Sequence, residues 1–219
     1  MSRLAALYLK LDLEIPIYEQ EPSRTYLQGL VRRLSSEIYR QDVEVEVHFR
    51  QGSLEVWIMV AGSIYVAIGN YGSFRSGVKQ IVEDTKALKN ILVSSLRKDG
   101  VAEAVILKQR QLAATPERVR RLLMRIDRFE RKLPEFAEEE AKARLRRILK
   151  AVQELTYEME FPEDINLLMA NLDERFHPLH KPAHLRHQKS FDLEKRPTFL
   201  DPEISKSSHY SQLPSPDDR

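Results

Sequence analysis

A row of basic side chains in "PERVRRLLMRIDRFERKL" has the spacing most directly suited to binding chemistry. Its members recur at steps of three or four residues, which places them along one side of a helix. The row consists of Arg118, Arg121, Arg125, Arg128 and Lys132. Because aligned guanidinium and ammonium groups bind successive phosphates, the spacing predicts a site for an anionic ligand such as an oligonucleotide or a nucleotide.

An apolar row lies beside the cations and must be buried if the helix is to hold them in line. It consists of Val119, Leu122, Ile126, Phe129 and Leu133. The next helix offers a matching row of Leu145, Ile148, Leu149 and Val152, so we predict that the two helices pack together. The alternative for the cations is a solvated face that pairs with Asp127, Glu130 or the acidic segment 151–176.

The charge distribution is uneven although the net charge of the 219 residues is only +2. Residues 97–150 carry 16 Lys/Arg against 9 Asp/Glu, whereas residues 151–176 carry 1 against 7. This division is typical either of a surface that binds a polyanion or of two segments that neutralise each other.

Residues suited to catalysis are few. The chain has no cysteine, and its glycine-rich stretch lacks the Gly-Lys-Ser/Thr ending of a phosphate-binding loop. Asp192, Glu194 and Lys195 are spaced like part of a nuclease cluster, but no rigid strand with an opposing acid is predicted near them. We therefore predict no catalytic residues and no cofactor, and a protein that is not an enzyme.

Four histidines near the C-terminal end have a spacing that metal ligands use. They are His177, His180, His184 and His187. Pro178 and Pro182 interrupt any helix that would align the imidazoles. A solvated basic tail is the preferred interpretation, and no metal site is predicted.

Residues 56–74, "VWIMVAGSIYVAIGNYGSF", contain no charged side chain in a chain that is 31% charged. As a helix these nineteen residues would be about 28 Å long, close to the roughly 30 Å hydrocarbon thickness of a bilayer. Gly62 and Gly69 are seven residues apart, as are Ser63 and Asn70, so such a helix would carry a small-residue row beside a polar row. In this interpretation Gly62 and Gly69 pack neighbouring helices together.

A ring of such helices would enclose a water-filled path. The pore-lining residues of that interpretation are Ser63, Ala67, Asn70 and Phe74. The competing interpretation is a hairpin of a soluble domain, in which "SLEVWIMV" alternates as a strand with residues 56–60 in the core.

The segment "GSLEVWIMVAGSIYVAIGNYGSFRSGVKQIVED" resembles segments in small proteins encoded beside bacterial anti-phage defence genes. The resemblance covers residues 52–84 and rests on apolar and glycine spacing followed by Tyr-Gly-x-Phe-Arg. Some of those proteins are membrane-disrupting or channel-like effectors held in check by a nucleotide or oligonucleotide. The resemblance implies a pore and an anionic ligand for this chain.

The elements that would position these residues define an α+β fold. Alternating apolar residues predict strands at the N-terminus and in "DVEVEVHFR", and a helical stripe lies between them. Four segments follow: a β-α-β unit (1–52), the apolar segment and a long amphipathic helix (53–98), a charged helical region (99–176) and a disordered tail (177–219). In the hairpin interpretation the apolar segment begins with a further strand, which extends the N-terminal unit to β-α-β-β. The sequence leaves open whether "AEAVILK" is a strand or a helical turn, and it predicts helices over 116–133, 135–160 and 163–176.

These observations predict an oligomeric membrane effector, with a pore controlled by an anionic cytoplasmic ligand. Its expected partners are further copies of the chain, membrane lipid, an oligonucleotide or nucleotide, and a protein encoded in the same operon. Its expected location is the inner membrane, with most of the chain on the cytoplasmic side. The alternative is a soluble, cytoplasmic α+β adaptor that binds nucleic acid or a protein partner.

Overall fold

Four segments form one antiparallel sheet in the computed structural model, which describes residues 2–50, 54–69 and 71–178. The strands are Ser2–Leu11 (β1), Glu44–Arg50 (β2), Leu54–Gly62 (β3) and Ile106–Gln111 (β4). The helices are Ile17–Tyr39 (α1), Ile64–Gly69 (α2), Phe74–Lys98 (α3), Thr115–Lys132 (α4), Glu138–Glu158 (α5) and Pro162–Ala170 (α6). Short 3-10 helices occupy Glu103–Val105, Leu133–Glu135 and Glu174–Phe176. The predicted α+β class is confirmed.

The strand order in the sheet is β2-β3-β1-β4. Helix α1 connects β1 to β2, and α3 connects β3 to β4, so each crossover skips one strand. Two interleaved βαβ units of this kind form the ferredoxin-like arrangement. The sheet draws strands from three of the predicted segments, and the segment that the sequence left open, "AEAVILK", contributes a 3-10 turn and then β4.

Alternation along the strands sorts the side chains onto two faces. The register pairs Leu7 with Ile58, and Leu9 with Val56. These four side chains are fully buried and join the core between the sheet and helices α1 and α3. The alternation of apolar and polar residues therefore predicted the core strands correctly, including the hairpin of β2 and β3.

The single apolar helix predicted over residues 56–74 is wrong. The run divides into β3, the short helix α2 and the start of α3 at Phe74. Because β3 pairs with β1 on one side and β2 on the other, its backbone groups are satisfied within the sheet. Every helix in the described part of the chain is too short or too polar to cross a membrane.

Asp164, on α6, fixes the junction between β3 and α2. Its carboxylate accepts hydrogen bonds from Ser63 Oγ at 3.1 Å and from the backbone N–H groups of Ile64 at 3.1 Å and Tyr65 at 2.8 Å. The side chain is 1% exposed. A residue about a hundred positions away therefore caps α2, whose first amide groups have no partner within the helix.

The C-terminal helices follow the prolines closely. Pro116 lies in the first turn of α4 and Pro162 in the first turn of α6, where a missing N–H costs no hydrogen bond. The third helix predicted here, 163–176, is too long, since α6 ends at Ala170. His177 donates its ring N–H to the carbonyl oxygen of Met169 at 3.0 Å. Residues 179–219 of the predicted tail, with the other three clustered histidines, lie outside the described residues.

Candidate polyanion-binding surface on helix α4

The apolar row of α4 is buried as the sequence predicts, apart from Leu133, which lies beyond the helix and is exposed. Val119, Leu122, Ile126 and Phe129 are each at most 6% exposed. Helix α4 packs against α5, where Ile148 and Val152 are buried, and on another side against α3. The packing of α4 on α5 confirms the predicted helix pair and fixes the orientation of the cations.

Arg118 has a structural role at one end of the row. Its guanidinium is half-buried and forms an ion pair with Glu158 at the end of α5. Pairing with the acidic segment, the alternative considered for the whole row, therefore occurs at this residue. Arg118 joins the two helices, and its guanidinium already has an anionic partner.

Arg121 is exposed but has a partner within its own helix. Glu117 accepts hydrogen bonds from Arg120 at 2.8 Å and Arg121 at 2.7 Å. The hydrogen bond from Arg120, with a further one from Arg121, lowers the pKa of Glu117, although burial opposes that shift. Glu117 thus stays ionised at neutral pH and partly neutralises this end of the row.

The two acidic residues nearest the middle of the row are neutralised by other elements. Asp127 accepts a hydrogen bond from Arg75 of α3 at 2.7 Å. Glu130 pairs with Arg175 of the last 3-10 helix. Cations from outside α4 therefore occupy the carboxylates with which the row was expected to pair.

Three members of the row have no anionic partner among the described residues. Arg125, Arg128 and Lys132 are exposed, and no ion pair involves them within that part of the chain. Uncompensated cations held on a packed helix form a surface that attracts anions. This part of the predicted row, together with Arg121, is the candidate site.

Arg147 on α5 is a further exposed cation that sequence reasoning missed. Glu158 of α5 forms an ion pair with Arg118 of α4. Arg147 precedes Glu158 by eleven residues, about three helical turns, so helical geometry places the two on the same side of α5. Arg125 is seven residues, about two turns, from Arg118 and lies on the same side of α4. The eleven-residue spacing was visible in the sequence, but its meaning depended on knowing which glutamate meets Arg118.

The residues predicted to line a pore do not share one helix. Ser63 precedes α2, Ala67 lies within α2, and Phe74 begins α3. Ala67 and Phe74 are buried, at 1% and 8% exposed. Asn70 lies outside the described residues. The predicted polar row is therefore not formed by Ser63, Ala67 and Phe74, and the pore-lining role stays a prediction.

The two glycines predicted to pack neighbouring helices lie in different elements. Gly62 ends β3, where a Cβ atom would lie 2.8 Å from Leu4 Cδ1 and 3.0 Å from Gln41 Oε1. Gly69 ends α2, and a Cβ atom there would meet nothing within 4 Å. Gly62 thus permits a close approach inside one chain, and the expectation of a shared helical row is wrong.

Comparison with protein-family models, with curated proteins and with solved structures returned no match for this chain.

Proposed function

We propose that the chain is a binding module for a polyanion, most specifically an oligonucleotide, held by the exposed cations of α4. The observation that carries the proposal is the pairing of Asp127 and Glu130 with Arg75 and Arg175. That pairing leaves Arg125 and its neighbours uncompensated on a rigid helix. This is the function of the adaptor interpretation, with nucleic acid as the ligand.

The length of the surface favours a chain of phosphates over a single nucleotide. From Arg121 to Lys132 the helix rises about 16 Å at 1.5 Å per residue. A nucleic-acid strand with one phosphate per about 3.4 Å of helix axis would place roughly five phosphates along that distance. Arginine and lysine bind such phosphates through charge-assisted hydrogen bonds.

The test compares two charge-reversal variants in a binding assay with a fluorescein-labelled oligodeoxythymidine 12-mer. Arg125→Glu with Lys132→Glu should weaken binding at low salt by much more than twofold, because both positions are exposed and have no anionic partner among the described residues. Lys79→Glu with Lys89→Glu, on α3, changes the net charge equally and should leave binding within about twofold. Equal loss in both variants, or no binding by the wild type, would contradict the proposal.

The membrane effector inferred from the sequence stays a prediction, with the same α4 surface as its ligand site. Fractionation of expressed protein with an alkaline carbonate wash addresses it directly. Chain that stays in the pellet and forms oligomers in detergent would support the effector, whereas complete release into the wash would contradict it.

A further inference from the structure

The sheet face that turns away from α1 and α3 carries aromatic and basic side chains in two rows. Strand register defines both rows from β2 to β4. One row is His48, Trp57, Tyr8 and Arg110, and the next is Arg50, Glu55, Lys10 and Lys108. Neither row belongs to the hydrophobic core or to the α4 surface.

Trp57 and Tyr8 form the centre of this face. Their ring centroids are 4.8 Å apart with an interplanar angle of 59°. Tyr8 is 6% exposed, and burial raises its pKa to about 12, helped by the charge of Glu55 and a hydrogen bond to it. Tyr8 is therefore a fixed support, whereas Trp57 remains partly exposed.

Lys10 and Lys108 lie directly opposite each other on β1 and β4. Like charges in that position destabilise a sheet. Glu55 of β3 lies opposite Lys10 but also accepts a hydrogen bond from the hydroxyl of Tyr8. Among the described residues, no ion pair involves Lys10, Lys108 or Arg110. An anion between the two lysines would relieve their repulsion.

We propose that this face is a second binding site, which stacks a base of single-stranded nucleic acid on Trp57 and holds the adjoining phosphates on Lys10, Lys108 and Arg110. Aromatic rings on a sheet flanked by cations bind unpaired bases, since every base offers a π-face and a duplex hides it. The strand runs along β1 and β4, because β2 presents Glu44 and Glu46 on the same face. The site is independent of the α4 surface.

Trp57 is the only tryptophan in the chain, so its fluorescence reports this site alone. Titration of the full chain with oligodeoxythymidine 12-mer at low salt should quench the emission. An abasic 12-mer with the same phosphates should quench little, because it has no base to stack. In the background of Arg125→Glu with Lys132→Glu, where the α4 surface no longer contributes, Trp57→Leu should weaken binding of the thymidine oligomer, measured by anisotropy, roughly 5- to 150-fold.

Variants separate this site from the α4 surface. Lys108→Glu, on the edge strand, should weaken quenching at least tenfold while leaving the urea midpoint at or above that of the wild type, since Glu would face Lys10. Arg125→Glu with Lys132→Glu should leave quenching of Trp57 in place even if it removes α4 binding. Binding seen by anisotropy with unchanged Trp57 emission, or equal quenching by the abasic oligomer, would overturn the sheet site alone. No binding by either measurement at low salt would overturn both sites.

Discussion

Asp164 shows how much a single side chain can determine. Its carboxylate accepts three hydrogen bonds at the start of α2 while almost completely buried. A buried carboxylate with three donors is stabilising only while all the donors remain in place. This role could not be predicted from the sequence, because Asp164 is one of seven acids in segment 151–176, whose composition is typical of an acidic surface.

We expect Asp164→Ala to lower the free energy of unfolding by about 3 kcal/mol, since it leaves the buried amide of Ile64 and the part-buried amide of Tyr65 without an acceptor. Urea denaturation followed by circular dichroism measures the change. Glu163→Ala, at the exposed neighbouring position, serves as the control and should shift stability by less than about 0.5 kcal/mol. Equal effects of the two substitutions would contradict the capping role.

The cations of α4 were predictable as a row, whereas their partners were not. Steps of three and four residues fix which side chains share a helix face. The partners Arg75, Arg175 and Glu158 come from α3, the last 3-10 helix and α5. Tertiary packing decides which acidic and basic side chains from other elements reach α4. Sequence alone therefore could not separate the unpaired cations of the row from the paired ones.

At the scale of elements, the run over residues 56–74 shows why composition and period must be weighed together. Its lack of charge suited a membrane helix, but Leu54, Val56, Ile58 and Val60 alternate as a strand does. Val56, Ile58 and Val60 are uncharged for the same reason as a membrane span, since their face of the sheet is buried and offers no water to a charge. The period-two alternation correctly indicated a strand, whereas the length of the uncharged run wrongly suggested a membrane-spanning helix.

The two glycines of this run should respond oppositely to alanine. Gly62→Ala should destabilise by about 1–3 kcal/mol, because its methyl group meets the buried Leu4 and the Gln41 amide that hydrogen-bonds Ser63. Gly69→Ala enters open space at the end of α2 and should be neutral or stabilise by up to about 1 kcal/mol.

Thermal or urea unfolding of the two alanine variants distinguishes a single helix over residues 56–74 from the observed strand and short helix. If both glycines lay in a row on one helix, the two substitutions would change the free energy of unfolding in the same direction. Opposite signs are expected only when one glycine ends a strand against β1 and the other ends a short helix. Destabilisation by both variants to the same extent would contradict this arrangement.

At the scale of the whole molecule, the modest net charge hides local fields of both signs. The basic middle and the acidic segment that follows it meet at only some positions, with Arg118 and Glu158 as the clearest case. If the remaining cations on α4 bind an oligonucleotide as proposed, they would act through counterion release, which depends on how many phosphates are contacted.

The salt dependence of the binding affinity should therefore show how many cations contact phosphates. For a single strand, each neutralised phosphate contributes about 0.7 to the slope of log affinity against log salt concentration. Replacing Arg125 and Lys132 with glutamine should reduce the magnitude of that slope by about 1.4 for the thymidine 12-mer. Parallel lines for the wild type and this variant would show that the two cations make no phosphate contact.

The cap that Asp164 places on α2 also has a consequence during biosynthesis. The last strand of the sheet ends at Gln111, so about 50 residues must still be made before Asp164 exists. At 5–20 residues per second this takes roughly 3–10 s. Through that interval a nascent chain has every strand of its sheet but not the acceptor for the amides of Ile64 and Tyr65. The junction between β3 and α2 can therefore reach its final hydrogen bonding only after synthesis has passed α5.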